Sequence, residues 1–240
     1  MKIMAVISLK PSSTRLPRKN FAEIVPGEPL YQMAFRKAQA LLEAERVAGV
    51  AVCSSEDVRH LLPPRFLYVR VPEQYEKSSR ALRVWENVLK AVPGMDAVLT
   101  IPCTSPLLSV KTLAKIIDRL KNGSRSVRAA YVRRTVFFQE DPEGGIGRFN
   151  FSRFTGTQNI SPVCIGGYAF GFSREYITEM ENEYSEKEQD IIPVPWLETM
   201  DIDYPEDFQE LVQLKKYCPE EIWNDCVSFP ENSGNTPVPI

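Results

Sequence analysis

The sequence is poor in the residue that most often carries acid–base and metal chemistry, because His60 is its one histidine in 240 residues. Metal sites built on histidines and nucleophile triads with a dedicated histidine are therefore nearly excluded. The five cysteines are widely spaced, and no pair has the Cys-x-x-Cys spacing of a metal or redox motif. Chemistry in this chain must depend on carboxylates and on lysine and arginine, either alone or with a metal ion.

Long apolar runs are also missing. Five apolar residues follow Met1 and Lys2, which is too few for the apolar region of a signal peptide, and no stretch approaches the roughly 20 residues that cross a bilayer. Together with the unpaired cysteines, this predicts a cytoplasmic protein with free thiols. The formal net charge of -2 argues against a general nucleic-acid binder, which needs a broad basic surface.

Strand-like and helix-like patterns alternate along most of the chain. Short apolar runs predict strands at residues 3–9, 50–53, 66–71, 97–101, 126–132 and 163–172. Apolar residues at helical spacing predict helices at 30–42, at about 79–92, after Ser109, at 174–184 and from Pro205 onwards. The alternation indicates an α/β fold in which helices cover both faces of a mainly parallel central sheet, within a single domain at 1–227.

Two segments depart from this alternation. Between residues 133 and 162, aromatic residues lie on short extended pieces around Gly144 and Gly145. The segment at about 135–162 is either a small β-arm that packs on a partner or an ordinary packed hairpin. Residues 228–240 contain three prolines and are predicted to form a poorly ordered tail.

The most informative segment is the loop from Ser8 to Asn20, which directly follows the first predicted strand. It contains three consecutive hydroxyl residues, two prolines and no acidic residue, and its four cations are Lys10, Arg15, Arg18 and Lys19. Short hydroxyl residues leave backbone N–H groups able to face an anion, and the cations neutralise phosphate charge. The pattern favours binding of a polyphosphate over the alternative, a solvated basic loop.

Two further motifs lie at predicted strand ends, one after the strand at 97–101 and one in a short strand-like end at 199–203. The turn at 102–108 carries the small hydroxyl residues Thr104 and Ser105 at the sheet edge where the basic loop is expected. Asp201 and Asp203 are two residues apart, so in a strand both side chains project to the same face. Paired carboxylates suit Mg²⁺, which completes its shell with water and phosphate oxygens. The alternatives are a helix-capping role for the turn and a solvated acid pair at a helix start.

Taken in order, these motifs resemble those of the acylneuraminate (CMP-sialic acid) cytidylyltransferases and their relatives that act on similar nine-carbon acids. The matching segments are Ile7–Asn20, Pro102–Leu107, Thr157–Pro162, Gly167–Phe172 and Asp201–Asp207, collinear across residues 2 to 214. The first and the last are quite specific, and the middle ones are loose. The resemblance implies a three-layer αβα nucleotide-diphospho-sugar transferase (Rossmann-like) fold. It also implies a homodimer, because the family's arm corresponds to the aromatic-rich segment around 135–162.

The resemblance also implies a role for each matched residue. The expected phosphate-binding and catalytic cations are Lys10, Arg15 and Lys19, with Ser13 beside them and Leu9 and Asn20 near the nucleoside of CTP. Asp201 and Asp203 are expected to hold Mg²⁺ against the triphosphate. The sugar-acid pocket is expected to include Thr104, Gln158, Tyr168 and Phe170. The implied reaction is attack of the anomeric hydroxyl of the sugar acid on the α-phosphate, with release of pyrophosphate.

The sequence departs from the family pattern at several positions. In the basic loop, Ser8, Lys10, Ser12 and Thr14 replace the Pro, Arg, Gly and Lys of the motif. Pro102 and Thr157 replace a Gln and an Arg on the sugar-acid side, which makes a related acid a better expectation than sialic acid itself. Two alternatives remain at this point: a nucleotidyltransferase for another sugar or base, and a non-catalytic homologue that binds nucleotide.

Overall fold

The computed structural model describes residues 1–77, 81–140, 142–148, 159–166, 169–179 and 189–229. In chain order the strands are β1 (Ile3–Ser8), β2 (Glu23–Val25), β3 (Glu28–Pro29), β4 (Gly49–Ser54), β5 (Phe66–Arg70), β6 (Ala97–Thr100), β7 (Ser126–Arg133), β8 (Phe138–Glu140), β9 (Ile146–Arg148), β10 (Val163–Ile165), β11 (Phe170–Ser173) and β12 (Gln189–Pro193). The helices are α1 (Leu30–Glu43), α2 (Glu73–Lys77), α3 (Ala81–Ala91), α4 (Val110–Lys121), α5 (Arg174–Glu179), α6 (Pro205–Tyr217) and α7 (Glu220–Val227).

The central sheet is mixed but mostly parallel, as the alternating pattern predicts. Its strand order is β10-β7-β11-β6-β1-β4-β5, and β12 also pairs with β7. Parallel pairing joins β6, β1, β4 and β5, and it also joins β12 to β7. The carboxyl ends of β1, β4, β5 and β6 therefore lie at one edge of the sheet, where α/β proteins bind their ligands.

Both faces of this sheet are buried. Alternate residues of β1 point to opposite faces: Ile3, Ala5 and Ile7 join one hydrophobic cluster, whereas Met4 and Val6 join another. The first cluster packs the sheet against α1 and α4, and the second packs it against α3 and α5. The three-layer αβα prediction is confirmed.

A smaller third cluster lies under the carboxyl edge. It joins Leu107 and Ile202, from the two motif segments, to Leu30 of α1, Leu211 of α6 and Trp223 of α7. Ile202 and Leu211 have no exposed surface. This cluster fixes both motif segments on a common apolar base.

The predicted strand at 163–172 is wrong in one respect, because it consists of two pieces. β10 and β11 both pair antiparallel with β7, but the register moves by two residues between the pairs Ile165–Tyr131 and Phe170–Arg128. Gly166, at the break, has a φ of 78°, a conformation that favours glycine. A Cβ at Gly166 would lie 2.7 Å from Cβ of Thr199, so a side chain would also collide with the neighbouring segment.

The aromatic-rich segment begins with a hairpin outside the central sheet. β8 pairs antiparallel with β9 in a separate two-stranded sheet. Phe138 on β8 is 60% exposed, as an arm that packs on a partner would require. Residues 149–158 of this segment lie outside the described residues.

Phe229 packs against the first cluster, and the predicted tail from residue 230 onwards lies outside the described residues. Within the described residues, every helix is too short or too polar to pass through a bilayer.

Packing of β11 against α4 generates a stability prediction. A Cβ on Gly171 would lie 2.5 Å from Cγ2 of Ile116 and 2.7 Å from Cδ1 of Leu120. Gly171→Ala should therefore destabilise the fold by about 1–3 kcal/mol through overpacking. Gly49→Ala is the matched control, because there the new methyl meets only the flexible end of Met4, at 3.1 Å. Urea unfolding of both variants checks this, and equal stability of the two would contradict it.

Candidate active site at the carboxyl edge of the sheet

The basic loop leaves the carboxyl end of β1 and is closed on itself by side-chain contacts. Leu9 continues the sheet by donating its N–H to the carbonyl of Cys53 at 2.8 Å. Asn20 is buried, and its amide donates to the carbonyl of Lys10 at 3.1 Å, which joins the two ends of the loop. The sequence therefore produces a compact loop rather than an extended basic tail.

Two cations of this loop converge on Asp203. Both Nη atoms of Arg15 bind the carboxylate of Asp203, and each lies 2.8 Å from one of its oxygens. Nζ of Lys19 donates to Oδ1 of Asp203 at 2.7 Å and to the carbonyl of Ile202 at 2.8 Å. Arg15 is half exposed at 49%, whereas the side chains of Lys19 and Asp203 are 14% and 20% exposed. The cluster therefore brings two cations to one carboxylate, and the exposed guanidinium of Arg15 is the part of it that an anionic ligand can reach.

Tyr204 extends the same cluster. The guanidinium of Arg15 lies over the Tyr204 ring, 5.2 Å from its centroid. The contact is a cation–π interaction between two half-exposed side chains, and it gives Arg15 a second partner beside Asp203.

Asp201 has a different environment from Asp203. It approaches the hydroxyl groups of Thr104 and Ser105, the latter donating from 3.4 Å. Burial raises the pKa of Asp201 to about 6, and the neighbouring charge of Asp203 acts in the same direction. Hydrogen bonds from the two hydroxyls and the charge of Lys19 oppose this rise without cancelling it.

Backbone contacts hold the 201–204 segment in place. The N–H of Ile202 donates to the carbonyl of Thr104 at 2.8 Å, which ties this segment to the turn after β6. The carboxylate of Asp207 accepts from the N–H groups of Asp203 and Tyr204 at 2.8 and 2.7 Å. Pro205 starts α6, so Asp207 lies in the first turn and satisfies donors that the helix start leaves unpaired.

Lys37 is a site-related residue that the sequence reasoning missed. Its side chain is fully buried on α1, and Nζ donates to the carbonyls of Ser105 and Pro106 at 3.0 and 2.7 Å. Burial lowers the pKa of Lys37 to about 8. A signal was present in the sequence: Lys37 interrupts the apolar stripe of α1 that contains Leu30 and Leu41.

A pocket adjoins the loop on the side away from Asp203. It has a volume of about 340 Å³ and is formed by the ends of β1, β4 and β5. Its lining residues are Pro11, Ser12, Ser55, Glu56, Arg70, Val71, Pro72 and Glu73. Hydroxyl, carboxylate and guanidinium groups line it, which suits a polar heterocycle better than an apolar ligand.

Five of the predicted residues meet at this edge. Arg15, Lys19, Asp201, Asp203 and Thr104 form one contiguous set, although Arg15 and Asp203 are 188 residues apart in sequence.

The positions of the other predicted residues differ. Lys10 and Ser13 lie on the same loop, and both are partly exposed. Gln158 and Tyr168 lie outside the described residues.

Two predicted contacts need correction. Leu9 is 0% exposed within the first cluster, and Phe170 is 5% exposed within the second, stacked on Phe172 at 5.3 Å. Their side chains are therefore part of the core and offer almost no surface to a nucleoside or a sugar acid.

The carboxylates present fit a magnesium ion that is shared with a phosphate ligand. Among the described residues, no group of three or more histidine, cysteine or acidic side chains could hold a metal by itself. Mg²⁺, however, is commonly bound by one or two carboxylates together with phosphate and water oxygens. Asp201 and Asp203 would supply the two carboxylates of such a site, and Asp203 is held by Arg15 and Lys19.

Comparison with known proteins identifies the family and the fold of this chain. A family model described as cytidylyltransferase matches residues 4–141, which is more than half of the chain. The chain belongs to the cytidylyltransferase family. No curated protein matches the sequence significantly.

Solved structures of this cytidylyltransferase's fold include a CMP:2-keto-3-deoxy-manno-octonic acid synthetase complexed with CTP. It has a TM-score of 0.64 and 14% identity, covering 90% of this chain and 99% of the other. A 4-diphosphocytidyl-2C-methyl-D-erythritol synthase from Anaerococcus prevotii has a TM-score of 0.61 and 12% identity, covering 90% and 98%. Rv0371c from Mycobacterium tuberculosis has a TM-score of 0.60 and 14% identity, covering 88% and 97%, and a second structure of it contains manganese. At these identities, the similarity shows the fold.

The raised pKa of Asp201 generates a pH-dependent prediction. Because the folded-state pKa, about 6, lies above the ordinary 3.8, the folded protein holds more protons between these values and loses stability as the pH rises through them. Asp201→Asn removes this penalty. The variant should be more stable than the parent by about 1–3 kcal/mol at pH 7.5, and equally stable near pH 3.

Asp203→Asn is the matched comparison, and its effect should have the opposite sign. It removes the counter-ion of the mostly buried Lys19 and of the half-exposed Arg15, which should destabilise the ligand-free protein by about 1–3 kcal/mol at pH 7.5. Urea unfolding of both variants across pH 3–8 provides the measurement. A destabilised Asp201→Asn at pH 7.5 would contradict the assignment.

Proposed function

We propose that this cytidylyltransferase activates a nine-carbon, sialic-acid-like or related 2-keto-3-deoxy sugar acid with CTP. The products are the CMP-sugar and pyrophosphate. The observation that carries the proposal is the convergence of Arg15 and Lys19 on Asp203, beside Asp201, at the edge where α/β sheets bind nucleotides. A CMP:2-keto-3-deoxy-manno-octonic acid synthetase complexed with CTP shares the fold, which supports this substrate class.

The nucleotide would occupy the edge in two parts. The triphosphate would lie against the loop, bound by Lys10, Arg15 and Lys19 with the hydroxyl of Ser13. The base would enter the pocket of about 340 Å³ formed by the ends of β1, β4 and β5, with Asn20 fixing the loop behind it. Replacement of the motif glycine by Ser12 places a side chain in the wall of this pocket.

Catalysis would depend on position and charge. The oxygen of the anomeric hydroxyl forms a bond to the α-phosphorus and releases its proton to solvent, the bond from that phosphorus to the bridging oxygen breaks, and pyrophosphate leaves with the electron pair. Arg15 and Lys19 would neutralise the charge that develops on the leaving group. In the ligand-free state both are paired with Asp203, so each would exchange a carboxylate partner for a phosphate partner.

Asp201 and Asp203 would hold a divalent ion, Mg²⁺ in our proposal. When bound, that ion would neutralise phosphate oxygens and orient them for attack. A structure of Rv0371c contains manganese, which supports a divalent ion in this fold. The acceptor would lie on the side of Thr104, where Gln158 and Tyr168 are proposed to complete its pocket.

A non-catalytic nucleotide-binding homologue is the second candidate, and one observation favours it. Both oxygens of Asp203 are already paired with Arg15 and Lys19, a closed cluster that could be purely structural. A nucleotidyltransferase for another sugar or base is a variant of the first proposal. The five cysteines are free, which supports a reducing compartment such as the cytoplasm for all three.

The phosphate-loop assignment predicts that Arg15→Ala and Lys19→Ala each weaken CTP binding by about 1.5–3 kcal/mol, because each removes a charge-assisted contact. Arg18→Asn is the matched control from the same loop. Arg18 has a φ of 54°, which asparagine tolerates, and its guanidinium lies over Phe21 rather than beside Asp203. Calorimetric titration with CTP provides the measurement. Unchanged affinity in both alanine variants would show that the loop is a solvated surface.

Turnover separates the two candidate functions. Pyrophosphate release should occur with CTP and a member of a panel of 2-keto-3-deoxy sugar acids, and not with either alone. Asp203→Asn should abolish it, because the amide keeps the shape but loses the charge that holds the ion. CTP binding without release of pyrophosphate from any acid and nucleotide would decide for the non-catalytic homologue.

The exposed hairpin supports a homodimer, which we propose as the working assembly. Phe138→Ser should weaken self-association, since 60% of that aromatic residue is exposed in the single chain. Tyr217→Ser, at the 73% exposed end of α6, is the matched control. Light scattering at micromolar concentration checks this, and a monomeric parent protein would refute the assembly.

A further inference from the structure

Lys37 occupies an unusual place for an ammonium group. Its side chain has no exposed surface, and it projects from α1 between the layer of helices and the turn after β6. Burying a charge is costly unless donors and acceptors are well matched. An apolar residue at this point of the stripe would fill the space without that cost, so the ammonium must supply something that packing does not.

What it supplies is a pair of hydrogen bonds to the turn. Nζ donates to the carbonyls of Ser105 and Pro106, at 3.0 and 2.7 Å. Both residues are buried. Without Lys37 their carbonyls would lose a hydrogen-bond donor in a place where water cannot replace it. The ammonium thus fixes the path of the turn from inside the protein.

The opposite side of this turn faces the candidate active site. The carbonyl of Thr104 accepts from the N–H of Ile202 at 2.8 Å, and the hydroxyls of Thr104 and Ser105 approach Asp201. Lys37, the turn and Asp201 therefore form a continuous chain of polar contacts. Within the described part of the chain, the loop cations Arg15 and Lys19 form no hydrogen bond with this turn. Their side chains bind Asp203 and Tyr204, and Lys19 also donates to the carbonyl of Ile202.

We propose that Lys37 is a positioning residue for the metal and acceptor half of the site. It acts through the 104–106 turn on Asp201 and Ile202 and touches no ligand itself. The identity of the ligand that Asp201 binds rests on the proposed function. The position of the Asp201 carboxylate is a property of the folded chain alone. Loss of Lys37 should therefore impair the half of the site at Asp201 and leave the phosphate loop intact.

The first experiment does not require enzymatic activity. Lys37→Met keeps an unbranched side chain but removes the donors, and Arg36→Met is the matched control, because Arg36 is its exposed neighbour on α1. Exchange of the Ile202 amide hydrogen should be about tenfold faster in Lys37→Met and unchanged in Arg36→Met. Exchange in β1 should match the parent protein. Unchanged exchange at Ile202, or an equal acceleration in β1, would overturn the proposal.

The second experiment separates the two halves of the site. Lys37→Met should weaken the affinity for Mn²⁺ by about tenfold, while its affinity for CTP in the absence of metal stays within about twofold of the parent. Lys37→Arg, which keeps donors on a long stem, should recover part of the Mn²⁺ affinity. Equal losses for CTP and Mn²⁺ would indicate a general structural role and reject the proposal. A parent protein that binds neither refutes the proposed function, and the exchange result still decides the role of Lys37.

A measurement on the parent protein covers the case in which Lys37→Met does not fold. With ¹⁵N-labelled lysine, the Nζ signal of Lys37 should be resolved at neutral pH, with protons protected from exchange with water by the two carbonyls. Addition of Mn²⁺ should broaden this signal less than the signal of Lys19, which lies beside Asp203. An Nζ signal of Lys37 that exchanges like those of exposed lysines would overturn the proposal.

Discussion

The ion-pair cluster around Asp203 is the interaction on which the candidate site depends. It joins a loop near the start of the chain to a segment almost 190 residues later, through Arg15 and Lys19. Exposed ion pairs contribute little to stability, and Arg15 is half exposed. The value of the cluster lies in where it places charge. It holds two cations at a strand end, in positions from which they can turn to a phosphate.

The rest of the edge is built to keep this cluster in place. Ile202 is buried in an apolar cluster below the site, and its N–H is bonded to the turn after β6. Asp207 caps α6 and binds the backbone N–H groups of Asp203 and Tyr204. The carboxylates themselves are thus carried by a segment that is anchored by packing, by backbone pairing and by a helix start.

Asp201 and Asp203 show how two like residues acquire different roles from their surroundings. Asp203 has two cationic partners, whereas Asp201 has only hydroxyl partners and a raised pKa. A buried carboxylate without a counter-ion costs stability at neutral pH. That cost, together with the burial of Lys37 on the far side of the same turn, is typical of sites where function takes precedence over stability.

The sequence by itself determined the layers, the main strands and the identity of the charged motif residues. The periodicity of apolar residues and their content are local properties, so β1 and α1 could be predicted from their own residues. The order of the motifs along the chain indicated the family resemblance. Tertiary structure decided what local patterns do not contain. The direction of the Leu9 and Phe170 side chains depends on which face of the sheet the core covers. The break at Gly166 depends on a neighbour 33 residues away, Thr199. The burial of Lys37 depends on a turn that packs against α1 only in the folded chain, because its two carbonyl partners come from a segment almost 70 residues further on.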